Sequence, residues 1–344
     1  MKINKKYSKS SKFYKDIKSD FFSLNDKNLK TVLNINKKYT SQVRRLSCKL
    51  CEKQLKNIID FEKHKVKYVF CRYCDHLNGL NIDTSKFAND LYTSNGGEKY
   101  SKFYLDNKYE SRIKNIYMPK AKFLKKNLPK KKYNIYDYGC GLGHFVDSCL
   151  RLGLKITGGD VSKSLISNGN KILNTRHNCS DKLELIKNND SKIISYKKAD
   201  ILCLLGVIEH ISDLKKFFKN IRKSNYKYIY YAVPTYGFSV IVESVFEKIF
   251  PRQLSAGHTH LFTEKSLIKL NQILGITTVA EWRFGTDIMD LKRSIQVTLS
   301  KKKYSKYFQE KFDHEFSTYG DKIQSVIDKA HNCSQIHVLG KRLK

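Results

Sequence analysis

A glycine-rich turn at residues 137–144, Asp-Tyr-Gly-Cys-Gly-Leu-Gly-His, limits the possible folds of this chain more than any other segment. A segment typical of a strand, 134–138, precedes it, and an amphipathic segment starts near Gly143 and stops before Gly153, a suitable helix cap. Such a turn needs glycine where φ is positive or where a ligand approaches the backbone closely. The N–H groups at the helix start then face that ligand. The sequence therefore predicts a strand, a ligand-binding turn and a helix.

The segment 133–344 alternates short apolar runs with amphipathic stretches, the pattern of a parallel sheet covered by helices on both faces. Ser162 and Thr263 can each cap a helix, and Gly275 can end the second of these helices. The expected fold is α/β, with a seven-stranded Rossmann-like sheet. Its strands are predicted at 134–138, 155–159, 183–186, 199–205, 227–233, 277–282 and 335–339.

The connection at 287–333, between the sixth and seventh predicted strands, is too long for a simple hairpin. Tyr304, Phe308, Phe312 and Phe316 recur there at intervals of four residues, which predicts an aromatic stripe on a helix. We expect the stripe to pack on the body of the protein or on a second subunit. A stacking surface for nucleic acid is the alternative.

Asp160 stands 17 residues after the last glycine of the turn, at the end of the second predicted strand. A carboxylate at this place can accept hydrogen bonds from both hydroxyls of a ribose. A nicotinamide dinucleotide fingerprint would place glycine where this chain has His144. The observed spacing is G-x-G-x-G with Asp137 two residues before the first glycine. It resembles motif I of the class I S-adenosylmethionine-dependent methyltransferases.

Two further segments resemble that family. Residues 199–210 resemble its fourth strand with the following V-x-E-H run, and 256–263 resemble the segment after its fifth strand. A glycine-rich turn without a ligand is the structural alternative. The resemblance implies S-adenosyl-L-methionine as cofactor, with Asp137 orienting the turn or reaching the cofactor's amino group. The residues that it implies at the cofactor are Asp137, Gly139, Gly141, Gly143, Asp160, Val161 and Gly206.

Four polar residues follow the strand ends and are candidate catalytic groups. Glu209 and His210 follow the fourth strand, and His258 and His260 lie in the connection after the fifth. Ligands of α/β sheets bind at the carboxyl ends of strands, and a histidine that titrates near neutrality can act as a base. Each residue also has a structural interpretation. His210 could bridge a helix start, His258 and His260 could tie the connection to the body, and Glu209 could complement a helix dipole.

The N-terminal part contains two C-x2-C pairs, Cys48 with Cys51 and Cys71 with Cys74. Two such pairs can present four thiolates to one tetrahedral metal ion, and the spacing is typical of structural zinc. A closed four-thiolate site has no open position for metal catalysis. The module resembles the amino-terminal part of a methyltransferase subgroup that includes enzymes acting on nucleotide-linked sugars and surface-polysaccharide precursors. That resemblance implies that the module lies near the acceptor.

The chain carries a net charge of +34, and residues 1–132 hold 33 Lys and Arg against 12 Asp and Glu. This excess could attract RNA or another polyanion, or it could reflect the bias toward Lys, Asn, Ile, Tyr and Phe. The expected organisation has four parts. These are a flexible basic arm at 1–40, the four-cysteine zinc module at 41–80, a helical connector at 81–132 and the methyltransferase domain at 133–344.

We expect an intracellular, cytoplasmic protein, because no run of apolar residues is long enough for a membrane span and the N-terminus lacks the apolar part of a secretory signal. The first functional hypothesis is methyl transfer to a small molecule, a saccharide or a nucleotide-linked sugar. The second is an RNA methyltransferase that holds RNA with its zinc module and basic arm. The third is a binding module with a degenerate site. An oligomer is compatible with all three.

Overall fold

The strands of this chain divide into two sheets, and each sheet joins segments that lie far apart in the sequence. The computed structural model describes residues 2–11, 13–17, 20–92, 108–187, 191–255 and 257–343. Its strands are β1 (Asn4–Tyr7), β2 (Phe61–Lys63), β3 (Val66–Phe70), β4 (Leu77–Gly79), β5 (Asn134–Tyr138), β6 (Lys155–Asp160), β7 (Leu183–Leu185), β8 (Ile201–Leu205), β9 (Tyr228–Pro234), β10 (His260–Leu261), β11 (Ile276–Arg283) and β12 (Gln335–Arg342).

Helices flank these strands. A π-helical stretch, Ile113–Tyr117, joins two of them, and a 3₁₀ turn, Ile208–His210, follows β8. The helices are α1 (Tyr14–Ile17), α2 (Asp20–Ser23), α3 (Asn25–Thr40), α4 (Ser85–Tyr92), α5 (Tyr109–Arg112), α6 (Met118–Asn127), α7 (His144–Arg151), α8 (Lys163–His177), α9 (Ile193–Tyr196), α10 (Leu214–Arg222), α11 (Phe238–Val245), α12 (Glu264–Leu274), α13 (Asp287–Ser300) and α14 (Lys306–Lys329).

The larger sheet has the order β1-β11-β12-β9-β8-β5-β6-β7. Strands β5 to β9 are parallel to one another, whereas β12 runs antiparallel to β9 and β11. All seven predicted strands form, so the Rossmann-like α/β prediction is confirmed. The prediction of seven strands is wrong in number, because β1 pairs in parallel with β11 and adds an eighth. This strand satisfies the backbone of what would otherwise be an open edge.

The capping predictions hold in the structure. Ser162 accepts a hydrogen bond from the N–H of Leu165 at the start of α8. Thr263 forms a capping box with Ser266 at the start of α12, and Gly275 ends that helix with φ of 63°. These caps could be predicted from the sequence because each depends on a single residue type at a helix end.

The expectation of a flexible arm at 1–40 is wrong for the residues described there. Besides β1, the segment contains the 16-residue helix α3. Tyr14 and Ile17 are buried, and the Asn25 side chain bonds to Lys248 O at 2.9 Å and to Phe250 N at 3.1 Å. The arm is therefore held by tertiary contacts to residues more than 200 positions away, which periodicity within the arm cannot indicate.

The second sheet has the order β10-β4-β3-β2 and is antiparallel throughout. Three of its strands come from the cysteine-containing segment, and β10 comes from the connection after β9. Buried residues of the two parts form one hydrophobic cluster, in which Cys48 and Val69 lie with Leu204 and Phe262. The cysteine segment is thus built onto the larger sheet. In the expected connector, residues 93–107 lie outside the described part of the chain.

The connection after β11 consists of helices α13 and α14, and the aromatic stripe runs along the second helix. Tyr304 and Phe308 are 46% and 49% exposed, whereas Phe312 and Phe316 are half-buried with ring centroids 4.6 Å apart. The start of the stripe therefore remains on the surface. Among the described residues, no helix is both long and apolar enough to span a membrane.

Candidate active site

The glycine turn joins β5 to α7 in the way that its sequence predicts. Gly139, Gly141 and Gly143 all have positive φ, at 79°, 55° and 82°. A Cβ on Gly139 would lie 2.6 Å from Cγ2 of Val207, whereas a Cβ on Gly141 would meet nothing within 4 Å. The turn needs glycine for its backbone conformation, and at Gly139 also for its close packing against the loop after β8.

Asp160, at the end of β6, ties the turn to the next loop. Its Oδ2 accepts the N–H of Gly141 at 2.8 Å, and its Oδ1 accepts the N–H of Ser162 at 2.9 Å. Each carboxylate oxygen has a second lone pair for a further donor. Burial raises the pKa of this carboxyl group. The structure therefore fits the predicted contact to a ribose, since the carboxylate is fixed in place and retains accepting capacity.

Two cavities meet at Gly139, Asp160, Gly206 and His210, which line both of them. The smaller, about 300 Å³, lies on the β6 side. It has an apolar part, to which Val161, Ile186, Ile211 and Phe217 contribute. The larger, about 650 Å³, extends from the glycine turn toward the N-terminal helices. The two adjoining cavities lie at the carboxyl ends of the parallel strands, where α/β folds bind ligands.

Three ionisable groups in the larger cavity influence one another. Burial and the nearby Asp160 raise the pKa of Asp137 to about 8. Burial likewise raises the pKa of Glu209 to about 8. Burial lowers the pKa of Lys120 to about 8, and the Lys120 ammonium group interacts favourably with both carboxylates. These carboxyl groups are therefore poised to change protonation when a charged ligand enters.

Glu209, His210 and His258 converge at the larger cavity, and one ligand-type atom from each lies within 4.8 Å of the others. The rings of His210 and His258 are 5.2 Å apart. Burial, and then the neighbouring His258, lower the pKa of His210 to about 3. Burial, and then Arg252, lower that of His258 to about 4. Both imidazoles are consequently neutral at pH 7, and neither has the near-neutral pKa expected from the sequence.

The structure does not place His260 with this cluster. His260 is fully buried in β10, and its Nδ1 lies 2.8 Å from Nε2 of His76. Because β10 pairs with β4, the two histidines connect the cysteine segment to the larger sheet. His260 does not line either cavity described above, and its contacts are those of a structural residue.

Several residues of the site carried no recognisable signal in the sequence. Phe21, Asn28, Thr31 and Val32 of the N-terminal segment line the larger cavity. Their position depends on the docking of that segment, so no local motif could reveal it.

His144 lies between two tyrosine rings at the wall of the larger cavity. Its ring is stacked on Tyr109 at 4.4 Å and on Tyr117 at 4.9 Å between centroids. The interplanar angles are 24° and 12°. The glycine-turn motif predicted that His144 would lie near the helix start, but it gave no indication of the two tyrosines.

The four cysteines of the N-terminal part lie close together. Cys48 and Cys74 have their sulfur atoms 3.6 Å apart, as have Cys51 and Cys71. Four thiolates around one tetrahedral zinc ion would be separated by about 3.8 Å. Both pairs share one backbone pattern, in which the residue after the second cysteine donates its N–H to the backbone oxygen of the first cysteine. The distance is 2.9 Å from Glu52 to Cys48 and 2.7 Å from Asp75 to Cys71. The arrangement fits a single zinc ion held by four sulfurs.

Comparison with known proteins identifies the family. A family model described as a methyltransferase domain matches residues 109–281, half of the chain. The chain therefore belongs to this family of methyltransferases. It is also 30% identical over 112 residues to the mitochondrial ubiquinone biosynthesis O-methyltransferase of Dictyostelium discoideum. That similarity spans 28% of this chain and 33% of the relative, so it covers only about a third of the curated protein.

Similar solved structures include two methyltransferases. Magnesium protoporphyrin IX methyltransferase from Synechocystis PCC 6803, with bound S-adenosylhomocysteine, is 11% identical; the similarity covers 75% of this chain and 99% of that one, with a TM-score of 0.45. Geranyl diphosphate C-methyltransferase from Streptomyces coelicolor A3(2) is 12% identical, with 70% and 85% coverage and a TM-score of 0.42. Both similarities are weak, and the identification rests on the family match.

Proposed function

We propose that this methyltransferase modifies a hydroxyl group of a small polar acceptor, in the class of saccharides or nucleotide-linked sugars. The observation that carries the proposal is the pair of adjoining cavities at the strand ends. The larger of them extends from the glycine turn to the Glu209–His210–His258 cluster. N-terminal helices cover the cavity on one side, which suits a small molecule enclosed beside the cofactor better than an extended polymer.

The cofactor residues are assigned from their positions. S-adenosylmethionine supplies an activated methyl group on a sulfonium centre. Asp160 accepts the ribose hydroxyls, Val161 lies beside the base in the smaller cavity, and Gly206 allows the chain to pass close by. Asp137 lies on the other side of the glycine turn, where its carboxylate can receive the amino group of the methionine part.

The acceptor end of the cavity is rich in hydrogen-bonding groups. The polar side chains there come from separate parts of the chain: Asn28, Thr31, Gln253, Thr286 and Gln335. Such a lining suits an acceptor with several hydroxyl groups, since the buried Oε1 of Gln253 has no hydrogen-bond partner among the described residues. Oxygen as the methylated atom is also supported by the curated relative, which is an O-methyltransferase by name. Glu209, His210 and His258 would face the reacting hydroxyl group.

The cysteine cluster is proposed to hold structural zinc through Cys48, Cys51, Cys71 and Cys74. Zinc there would stabilise the β2–β4 sheet, on which β10 and the neighbouring His258 segment depend. Metal analysis should find one zinc per chain in the purified protein, and Cys71→Ser should remove it. A protein that contains no zinc and keeps its full thermal stability would contradict this assignment.

The proposed function is tested by methyl transfer from S-adenosyl[methyl-³H]methionine to a panel of acceptors. Sugar nucleotides, free saccharides and bulk RNA are incubated in parallel at low and high salt. Label in a sugar-containing acceptor, at either salt concentration, supports the proposal. Label in RNA alone, lost as salt rises, would overturn it in favour of RNA methylation, since phosphate contacts weaken steeply with salt.

A further inference from the structure

We propose that Glu209, His210 and His258 bind one divalent cation, which holds an acceptor that has two adjacent oxygen atoms. The inference rests on the proposed function and adds a metal site and a narrower acceptor class to it. One carboxylate and two imidazoles are a common ligand set for a divalent ion that keeps open positions for other ligands.

The two histidines are held with defined tautomers. Nδ1 of His210 lies 3.0 Å from the backbone oxygen of Gly257, so it must carry the proton, and the ring's lone pair is on Nε2. The His258 ring is hydrogen-bonded to the backbone of Gln253 and Arg252. Its buried Nδ1 has no partner among the described residues, so the lone pair of this ring is on Nδ1. Backbone carbonyls that orient metal-binding histidines in this way are a usual feature of metal sites.

Glu209 supplies the anionic ligand. Its side chain is 95% buried, yet Oε2 has no hydrogen-bond partner among the described residues. A buried carboxylate oxygen without a partner is costly, and a bound cation would remove that cost. The lining of the larger cavity also contains Arg112, Lys120 and Arg252, matched by the three acids Asp137, Asp160 and Glu209. The cavity is thus far less basic than the chain as a whole.

The distances leave room for an ion. The three ligand atoms lie within 4.8 Å of one another, whereas neighbouring ligands around one ion are separated by about 3 Å. Side-chain rotation toward a central ion closes this difference. Three protein ligands leave about three positions in an octahedral shell. Two adjacent oxygens of a diol or an enediol can fill two of these positions at once.

The cation would favour transfer by lowering the pKa of the bound hydroxyl group. The proton of this hydroxyl group leaves to solvent, and a lone pair of its oxygen forms the new bond to the methyl carbon. The carbon–sulfur bond of the cofactor breaks, and its electrons remain on sulfur. The products are the methyl ether, S-adenosylhomocysteine and a proton. An acceptor with an isolated hydroxyl group would gain less, because it occupies one position only.

The test is an electron paramagnetic resonance titration of the zinc-loaded protein with Mn²⁺, in which the signal of free Mn²⁺ reports binding. Mn²⁺ prefers oxygen and nitrogen ligands, so the thiolate cluster does not compete for it. We expect one Mn²⁺ per chain, with a dissociation constant below about 1 mM. Glu209→Gln and His258→Gln should each weaken binding at least about tenfold. His314→Gln, at an exposed histidine on α14, is the matched control and should bind as the wild type does.

Wild-type protein that binds no Mn²⁺ would overturn the metal site, as would site variants that bind like the control. S-adenosylhomocysteine binding by the two site variants serves as the check that they are folded. Methylation of a sugar acceptor by protein that binds no Mn²⁺ would reject this inference and leave the proposed function intact. Mn²⁺ binding without methylation of any small acceptor would support the metal site and overturn the proposed function.

Discussion

Replacement of Asp160 should weaken cofactor binding without unfolding the protein. Its carboxylate accepts two backbone N–H groups, at 2.8 and 2.9 Å, and in the proposed complex also the ribose hydroxyls. Hydrogen bonds to a charged acceptor contribute about 1.5–3 kcal/mol. Loss of the ribose contact alone therefore predicts that Asp160→Ala raises the dissociation constant of S-adenosylhomocysteine by roughly 10- to 150-fold. Loosening of the glycine turn would add to this effect.

Asp200→Ala is the matched control, because Asp200 also accepts a backbone N–H, that of Asn134 at 2.9 Å, and pairs with Lys227. It precedes β8, so it lies at the opposite end of the parallel strands from Asp160. Equilibrium dialysis with labelled S-adenosylmethionine measures binding by both variants, and thermal melting measures their stability. The two should lose similar stability, but only Asp160→Ala should lose affinity. Equal affinity of both folded variants would refute the assignment of Asp160 to the ribose.

Two further predictions concern the same turn. Because burial raises the pKa of Asp137 to about 8, the folded state binds more protons than the unfolded state between about pH 4 and pH 8, and stability should fall as pH rises across this window. The side chain of Asp137→Asn cannot ionise. The melting temperature of this variant minus that of the wild type should therefore be larger at pH 8 than at pH 5, and the same difference at both pH values would contradict the burial argument. Gly139→Ala should destabilise the protein by at least about 1 kcal/mol more than Gly141→Ala, because both incur the positive-φ cost but only Gly139 has a close neighbour, Cγ2 of Val207 at 2.6 Å. Equal denaturant midpoints for the two variants would show that Val207 moves freely.

The larger sheet could be predicted because its signals are local. Strand β8 is a continuous apolar run, and the turn between β5 and α7 has glycine at each of its three positions of positive φ. Helix caps such as Ser162 and Thr263 depend on a side chain and an N–H group only three residues apart. Such signals survive in a single sequence, since they do not depend on distant contacts.

The covering of the site could not be predicted, because it depends on contacts between distant segments. The edge strand β1 is rich in lysine and gives no apolar alternation, yet it pairs with β11 nearly 280 positions later. His258 and His260 are two residues apart and looked equivalent in the sequence. A turn precedes β10, and in it the N–H of His258 bonds to Ser255 O at 2.9 Å. His258 therefore faces the larger cavity, whereas His260 in β10 pairs with His76. Only the tertiary structure distinguishes them.

The account depends above all on cofactor binding at the glycine turn. Calorimetric titration of the zinc-loaded protein with S-adenosylhomocysteine tests this directly. We predict one molecule bound per chain with a micromolar dissociation constant, and the same measurement on Asp160→Ala should show the loss described above. A folded wild-type sample that gives no binding heat at several temperatures would contradict the account, because the turn, Asp160 and the two cavities would then serve another ligand.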